Sequence, residues 1–233
     1  MSFSKDGDIV MTADEGEQVD ENEDGNPSAD PKGSVSIIDI AAGVANASVE
    51  TLDFDKFDSQ ADALRERGVR LYPNRKPSRD LEPEYVAINP HGTEARVVLQ
   101  EQNAFATVDL RNNAITGIQA LGTKDYATAG KGLDAISDGE IKIRNYPIKG
   151  LYQPDQMGAY AVGGETYYVT ANEGDDRGFD VSAASAAKLA PETEDAVAEH
   201  GLGELAISNI DGDTDGDGEI EELVSFGARS FAI

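Results

Sequence analysis

Residues 211–222 read Asp-Gly-Asp-Thr-Asp-Gly-Asp-Gly-Glu-Ile-Glu-Glu, a run whose chemistry suits a hard cation. From Asp213 it spells D-x-D-x-D-G-x-I through Asp213, Asp215, Asp217, Gly218 and Ile220. Carboxylates at alternate positions can converge on one ion. The glycine permits the sharp turn between ligands, and the isoleucine can anchor the loop in an apolar contact. An EF-hand loop would close on a bidentate Glu at its twelfth position, but from Asp213 that position is Val224. From Asp211, Gly216 falls sixth and Glu222 twelfth, yet Gly218 then fills the apolar eighth place. The stretch therefore reads as a Ca²⁺ loop between two strands of one sheet. Asp213, Asp215 and Asp217 are its expected ligands, with Glu219 through its backbone and Glu221 or Glu222 completing the shell. Asp211 belongs to the same candidate set. The competing reading is an acidic tip whose Asp and Gly only make turns. With no Cys and only His91 and His200, softer metals and a zinc site are disfavoured. His91 in Asn-Pro-His-Gly and His200 before Gly201 read as solvated surface residues.

A second group of acids is brought together by a repeat. Residues 3–16, 88–101 and 160–174 each carry a Gly turn (Gly7, Gly92, Gly164), then a β-branched or aromatic run, then an acidic end (Glu15, Glu101, Glu173). Glu82-Pro-Glu84 precedes the second copy and Gln153-Pro-Asp155 the third. In an antiparallel hairpin the start of the first strand lies beside the end of the second. Glu84 should then lie near Glu101, and Asp155 near Glu173. Together with Asp175 and Asp176 these acids form a candidate rim site. Arg229 is a candidate anion contact, with Lys149 and Arg177 the nearby bases.

The elements that must position these groups read as strands. Residues 33–40 and 103–110 share the ending strand, Asp, aliphatic, and 203–210 is the expected counterpart in the third copy. Residues 47–52, 114–121 and 221–226 are expected fourth strands. Four-stranded repeats describe propeller blades. The fold class is all-β: a partial β-propeller of about three four-stranded blades, with long loop insertions and short helices. The whole of 1–233 reads as one domain, with repeats over 1–55, 81–121 and 151–233 and insertions at 56–80 and 122–150. Residues 17–32 should form a loop. A helix is expected over 58–67, with Asp58 at its start and Gly68 at its end, and another over 191–200, with Pro191 in its first turn. Residues 122–150 should be mostly loop, with a strand at 140–144.

Composition bounds the partners. The chain of 233 residues has 45 Asp and Glu against 19 Lys and Arg, a formal charge of −26, which argues against nucleic acid or an anionic membrane surface. The acidity is spread along the chain, which points to a salt-adapted, halophilic host. No apolar run is long enough to span a membrane. The first residues lack the pattern of a signal peptide.

Several stretches together resemble the choice-of-anchor I family, whose relatives include mesenchyme-specific cell surface glycoproteins. They are Thr12-Ala-Asp-Glu-Gly16, residues 33–39, Asp80-Leu-Glu-Pro-Glu-Tyr85, Gly150-Leu-Tyr-Gln-Pro-Asp155, Val169-Thr-Ala-Asn-Glu-Gly-Asp175, residues 212–218 and Phe226-Gly-Ala-Arg-Ser-Phe231. The resemblance implies an exported β-propeller of roughly seven blades, often tethered to the cell envelope by a varying anchor. It also implies that the chain is a fragment whose partners include the remaining blades of a longer parent. Some members carry phosphatase or phytase-like names. Two functions follow. The first is a calcium-binding, extracellular or cell-surface module for binding a surface ligand or for envelope architecture. The alternative is a Ca²⁺-dependent hydrolase of small phosphoesters, in which the rim acids hold bridging cations. No nucleophile motif is visible, so a hydrolase would have to be metal-based.

Overall fold

The computed structural model describes residues 1–17, 19–21 and 27–233; the side chains of 18–29 lie outside that description. Strand accounts for 38% of the chain and helix for 14%, arranged in several small, mainly antiparallel sheets, so the protein is all-β. It divides into two compact units. The first comprises residues 1–121, 153–172 and 230–233, and the second residues 122–152 and 173–229.

The first unit holds two four-stranded sheets and one of three strands. Strands β1 (Ser2–Phe3) and β2 (Ile9–Asp14) form a hairpin. Between β2 and the next long strand, β3 (Val19–Glu21) pairs with β4 (Pro27–Ala29). That ribbon corrects the expected loop at 17–32, of which residues 18 and 22–26 lie outside the described residues. β5 (Ser34–Asp39) and β6 (Ser48–Asp53) complete the first sheet in the order β1-β2-β5-β6. The second sheet is a meander of β7 (Pro83–Ile88), β8 (Glu94–Leu99), β9 (Ala104–Asp109) and β10 (Ala114–Ala120). Its turns need positive φ, supplied by Gly92 at 66° and by Asn103 and Asn113 at 48° and 46°. Asn tolerates that conformation better than most L-residues.

The period-2 pattern explains how these sheets stack. Val35 and Ile37 of the first sheet face Val86, Ile88, Val97, Ala106 and Val108 of the second in one buried cluster. The opposite face of the second sheet, with Ala87 and Val98, packs on Met157, backed by Ala159 and Tyr168. Met157 lies on β13 (Pro154–Val162), which pairs with β14 (Glu165–Asn172). The third strand of this sheet is β18 (Ser230–Ala232), whose Phe231 faces Ala171 in register. This differs from the expected continuation by 203–210 and 221–226. Those segments lie in the second unit, because the acidic stretch and α3 hold them against other strands there.

A short helical segment fills the 56–80 insertion. A 3₁₀ turn over Asp55–Gln60 runs into α1 (Ala61–Glu66), and α2 (Pro77–Asp80) follows. Asp58 does not cap its own helix; it accepts the backbone N–H of Ser78 at 2.8 Å and so ties the two pieces together. Gly33 is obligatory beside this segment, since a Cβ there would run into the Leu81 carbonyl oxygen.

In the second unit, β11 (Thr123–Asp125) pairs antiparallel with β12 (Ile148–Leu151), and β12 pairs parallel with β17 (Leu223–Ser225). β15 (Val181–Ala183) pairs with β16 (Ala206–Ser208). The helix α3 (Pro191–His200) starts on Pro191 and ends at Gly201, whose φ of 69° makes the left-handed cap. Val197, Leu202, Ile207, Ile220 and Leu223 bury against Tyr126 and Ile148. The expected strand at 140–144 is absent. Its last residue, Arg144, makes a single bridge to Leu133, while Ile141 is 89% exposed, so no strand partner runs along the segment. His200 is half-buried and packs edge-on against Tyr146 at 5.8 Å between ring centroids, which corrects the solvated reading.

Candidate metal centre

The acidic loop joins β16 to β17, strands of different sheets, rather than two strands of one sheet. Its ends are clamped. The backbone N–H groups of Glu221 and Glu222 both donate to the Gly212 carbonyl, at 3.0 and 3.1 Å. Gly212 cannot be replaced without disturbance, because a Cβ would strike the Glu222 carbonyl and lie 2.8 Å from Ile220 Cγ2. Ile220 is 5% exposed and seated in the core of this unit. Its backbone pairs with the segment before α3: Ile220 N–H donates to Lys188 O at 2.9 Å, and Ala190 N–H donates to Ile220 O at 3.0 Å. Thr193 on α3 adds a hydroxyl bond to the Glu221 carbonyl at 2.7 Å. One buried isoleucine thus fixes where the flanking carboxylates emerge.

Between the clamps, each aspartate folds the backbone around itself. Asp213 accepts the N–H of Gly216 at 2.7 Å and of Gly218 at 3.0 Å. Asp215 accepts from Asp217 N at 3.1 Å, and Asp217 from Glu219 N at 2.8 Å. These are Asx turns, and they need the positive φ of Gly216 (81°) and Gly218 (86°). Glu221 reaches back across the loop, where its Oε2 accepts the Thr214 N–H at 2.7 Å and the Thr214 hydroxyl at 3.1 Å. The result is convergence: Asp213, Asp215, Asp217 and Glu221 each offer a carboxylate oxygen, all within 4.8 Å of one another. Oxygen-only donors at this spacing fit a calcium-sized cation.

The other loop acids are directed elsewhere. Glu222 pairs with Lys149, Glu219 pairs with Lys188 at 3.3 Å, and Asp211 accepts the Ser208 hydroxyl. A cleft of about 290 Å³ beside the loop is lined by Lys149, Glu192, Thr193, Glu221 and Glu222. The geometry selects Glu221 over Glu222, a choice the sequence left open. The deciding contact is the pairing of Lys149 with Glu222 across β12 and β17, a tertiary fact with no local signal.

The rim acids occupy varied surroundings. Glu84 and Asp155 sit at equivalent β-bulges, each just after a proline, with Pro83 opposite Leu99 and Pro154 opposite Asn172. Glu101 follows Leu99 by two residues, at the same end of the β7–β8 pair as Glu84, and is 6% exposed. Around it lie the buried Arg70, Glu82, Gln100, Gln102 and Gln153, and Arg70 Nη1 donates to the Glu101 carbonyl at 3.1 Å. Glu173, Asp175 and Asp176 belong to the second unit. Asp175 and Asp176 accept local N–H groups at 2.8 Å from Asp176 and Gly178. Among the described residues, the group of three or more acids with mutually converging oxygens is the loop set, and the rim acids are not part of it. Arg177 N–H donates to the fully buried Asp180 at 3.0 Å, and Arg229 is exposed.

No helix among the described residues is long and apolar enough to cross a membrane. A search of curated proteins gave no match. The model of the choice-of-anchor I domain matches residues 1–233, and the chain belongs to that family. Membership suggests a cell-surface-associated module.

Proposed function

We propose that this chain is a calcium-binding β-propeller module of an exported, salt-adapted surface protein, serving ligand binding or envelope architecture. The observation that carries the calcium reading is the convergence of Asp213, Asp215, Asp217 and Glu221 within 4.8 Å on a loop plugged into the core by Ile220. The propeller reading is supported by the stacked four-stranded sheets of the first unit. It is also supported by the outer face of the β13–β14–β18 sheet. There Tyr160 and Tyr167 stack at 5.5 Å, Val162 is 60% exposed and Phe231 74% exposed. Alternating apolar residues on an open sheet face suit another sheet, as further blades of a longer parent would supply.

The loop's role in this reading is structural. An ion held there ties the β16–β17 connection to α3 and binds the folded state only. The predicted gain is about 2.7 kcal/mol at a hundredfold excess of calcium over the dissociation constant. Thermal unfolding with and without Ca²⁺ tests it: the melting temperature should rise with calcium in the wild type. A melt unmoved by calcium would refute the structural role. The alternative, a metal-dependent phosphoester hydrolase, requires calcium-dependent turnover of p-nitrophenyl phosphate or phytate. That turnover should fall on Glu84→Gln or Asp155→Asn and not on Asp215→Ala.

A further inference from the structure

Residues 140–144 alternate like a strand, yet no strand runs beside them. The segment reads Glu-Ile-Lys-Ile-Arg. Ile143 is 71% exposed, and Ile141 is the most exposed large apolar side chain among the described residues. The segment is nevertheless held at both ends. Before it, Asp138 accepts the Glu140 N–H at 2.9 Å. At its end, Arg144 exchanges both backbone hydrogen bonds with Leu133, at 2.9 and 3.0 Å, and the Asn145 amide donates to the Tyr126 carbonyl at 2.8 Å. In an extended chain the backbone groups of successive residues point to opposite sides. Those of Arg144 face Leu133, so those of Ile141 and Ile143 face away, and among the described residues neither makes a backbone hydrogen bond. Free donors and acceptors beside two exposed β-branched side chains make a template for another strand.

The five residues are complementary to themselves. Laid antiparallel about Lys142, a second copy sets Ile141 opposite Ile143 and Glu140 opposite Arg144, each twice. Both charged partners are available for this. The Glu140 side chain is 69% exposed, and Arg144 is exposed and in no ion pair among the described residues. The two Lys142 meet at the axis, but each is already held by Asp138 at 2.8 Å and by Glu140 at 2.7 Å, which reduces the cost of that like-charge meeting. The charges of Asp138, Glu140, Lys142 and Arg144 cancel, so two chains of −26 each can meet here at a neutral patch.

We propose that residues 140–144 pair antiparallel with the same segment of a second copy of this chain, a two-fold contact in which each strand completes the other. Ile141 and Ile143 supply the backbone bonds, and the two Glu140–Arg144 pairs fix the register. Five residues a side make a small interface, at the transient end of the protein–protein range, so the association is weak and concentration-dependent.

The test is sedimentation equilibrium of the full chain over a concentration series, in calcium-free solution with enough KCl to screen the net charge. The wild type should pass from monomer to dimer with no larger species. Arg144→Glu and Glu140→Arg should each raise the dissociation constant at least tenfold, because each sets like charges opposite one another twice. The double variant Glu140→Arg/Arg144→Glu should restore the dimer, since the pairs form again with their signs exchanged. Both positions are exposed, so the melting temperature of each variant should match the wild type. The chain has no Cys, so Lys142→Cys places one thiol per copy at the axis. Mild oxidation should trap that variant as a dimer at least tenfold faster than Lys131→Cys, an exposed position elsewhere in this unit. A wild type monomeric at every concentration, a dimer unmoved by Arg144→Glu, a double variant no tighter than Arg144→Glu, or equal trapping of the two thiols would overturn the assignment. So would a dimer weakened instead by Tyr160→Ser, which would put the contact on the open face of the β13–β14–β18 sheet.

Discussion

Glu221 does at residue scale what the loop needs as a whole. Its backbone carbonyl is held by Thr193 and its carboxylate by Thr214, so the oxygen facing the aspartates is pre-positioned from both sides. Its neighbour Glu222 is drawn off by Lys149. A distinct residue-scale consequence concerns Tyr168. Its hydroxyl meets Glu94 Oε1 at 3.3 Å, and Arg96 pairs with Glu94 at 3.2 Å while lying 5.7 Å from the Tyr168 ring. Burial first, and the Glu94 charge second, push the phenol up to about 12. In the unfolded chain a tyrosine ionises near pH 10. Between those values the native state holds a proton that the unfolded state has lost. The contribution to stability is therefore full below about pH 10 and is lost as pH rises towards about 12. A spectrophotometric phenolate titration should show two late-ionising tyrosines, Tyr168 and Tyr126, the latter also pushed up by burial, and Tyr168→Phe should remove one of them. Ionisation of every tyrosine near pH 10 in the folded protein would contradict this.

At the scale of elements, two glycines in the acidic loop carry different constraints. Gly212 has the Glu222 carbonyl and Ile220 against it, whereas Gly216 has open space and only a positive φ of 81°. Gly216→Ala should cost about 1–2 kcal/mol, the left-handed penalty alone. Gly212→Ala should cost more, because the clamp from its carbonyl to the N–H groups of Glu221 and Glu222 must shift. Denaturant unfolding of both variants checks the order, and equal losses would show that the clamp is soft. These elements also mark what the sequence could tell. The D-x-D-x-D-G-x-I spacing is local, and local turn chemistry reads well from sequence. The β13–β14 hairpin with its Gly163-Gly164 turn reads well for the same reason, as does α3 between Pro191 and Gly201. What closes the third sheet did not: β18 lies 58 residues beyond β14, and nothing in Ser-Phe-Ala announces its partner. The short strands β11, β12 and β15 are equally unmarked, because three or four residues carry no periodicity.

At the scale of the molecule, the alternation that made the all-β reading possible is also what stacks the sheets. Residues such as Val35, Val97 and Val98 are fully buried, and Leu99→Ala should cost about 2–5 kcal/mol as a core cavity. The family assignment over residues 1–233 agrees with the resemblance carried by the motifs in order along the chain. Charge is the other global property. At −26, self-repulsion opposes the compact state and screening relieves it. The melting temperature should therefore climb with added KCl, in calcium-free solution, over the range where the Debye length shrinks from about 10 Å to about 3 Å. A flat or falling response would argue against salt adaptation.

The most direct measurement of the central claim is a calorimetric titration of Ca²⁺ into three versions of the full chain: wild type, Asp215→Ala and Glu222→Gln. The convergence of Asp213, Asp215, Asp217 and Glu221 predicts a saturable site in the wild type, preserved in Glu222→Gln because that carboxylate serves Lys149, and weakened at least tenfold in Asp215→Ala. Superimposable isotherms for wild type and Asp215→Ala would contradict the account and reduce the loop to an acidic turn.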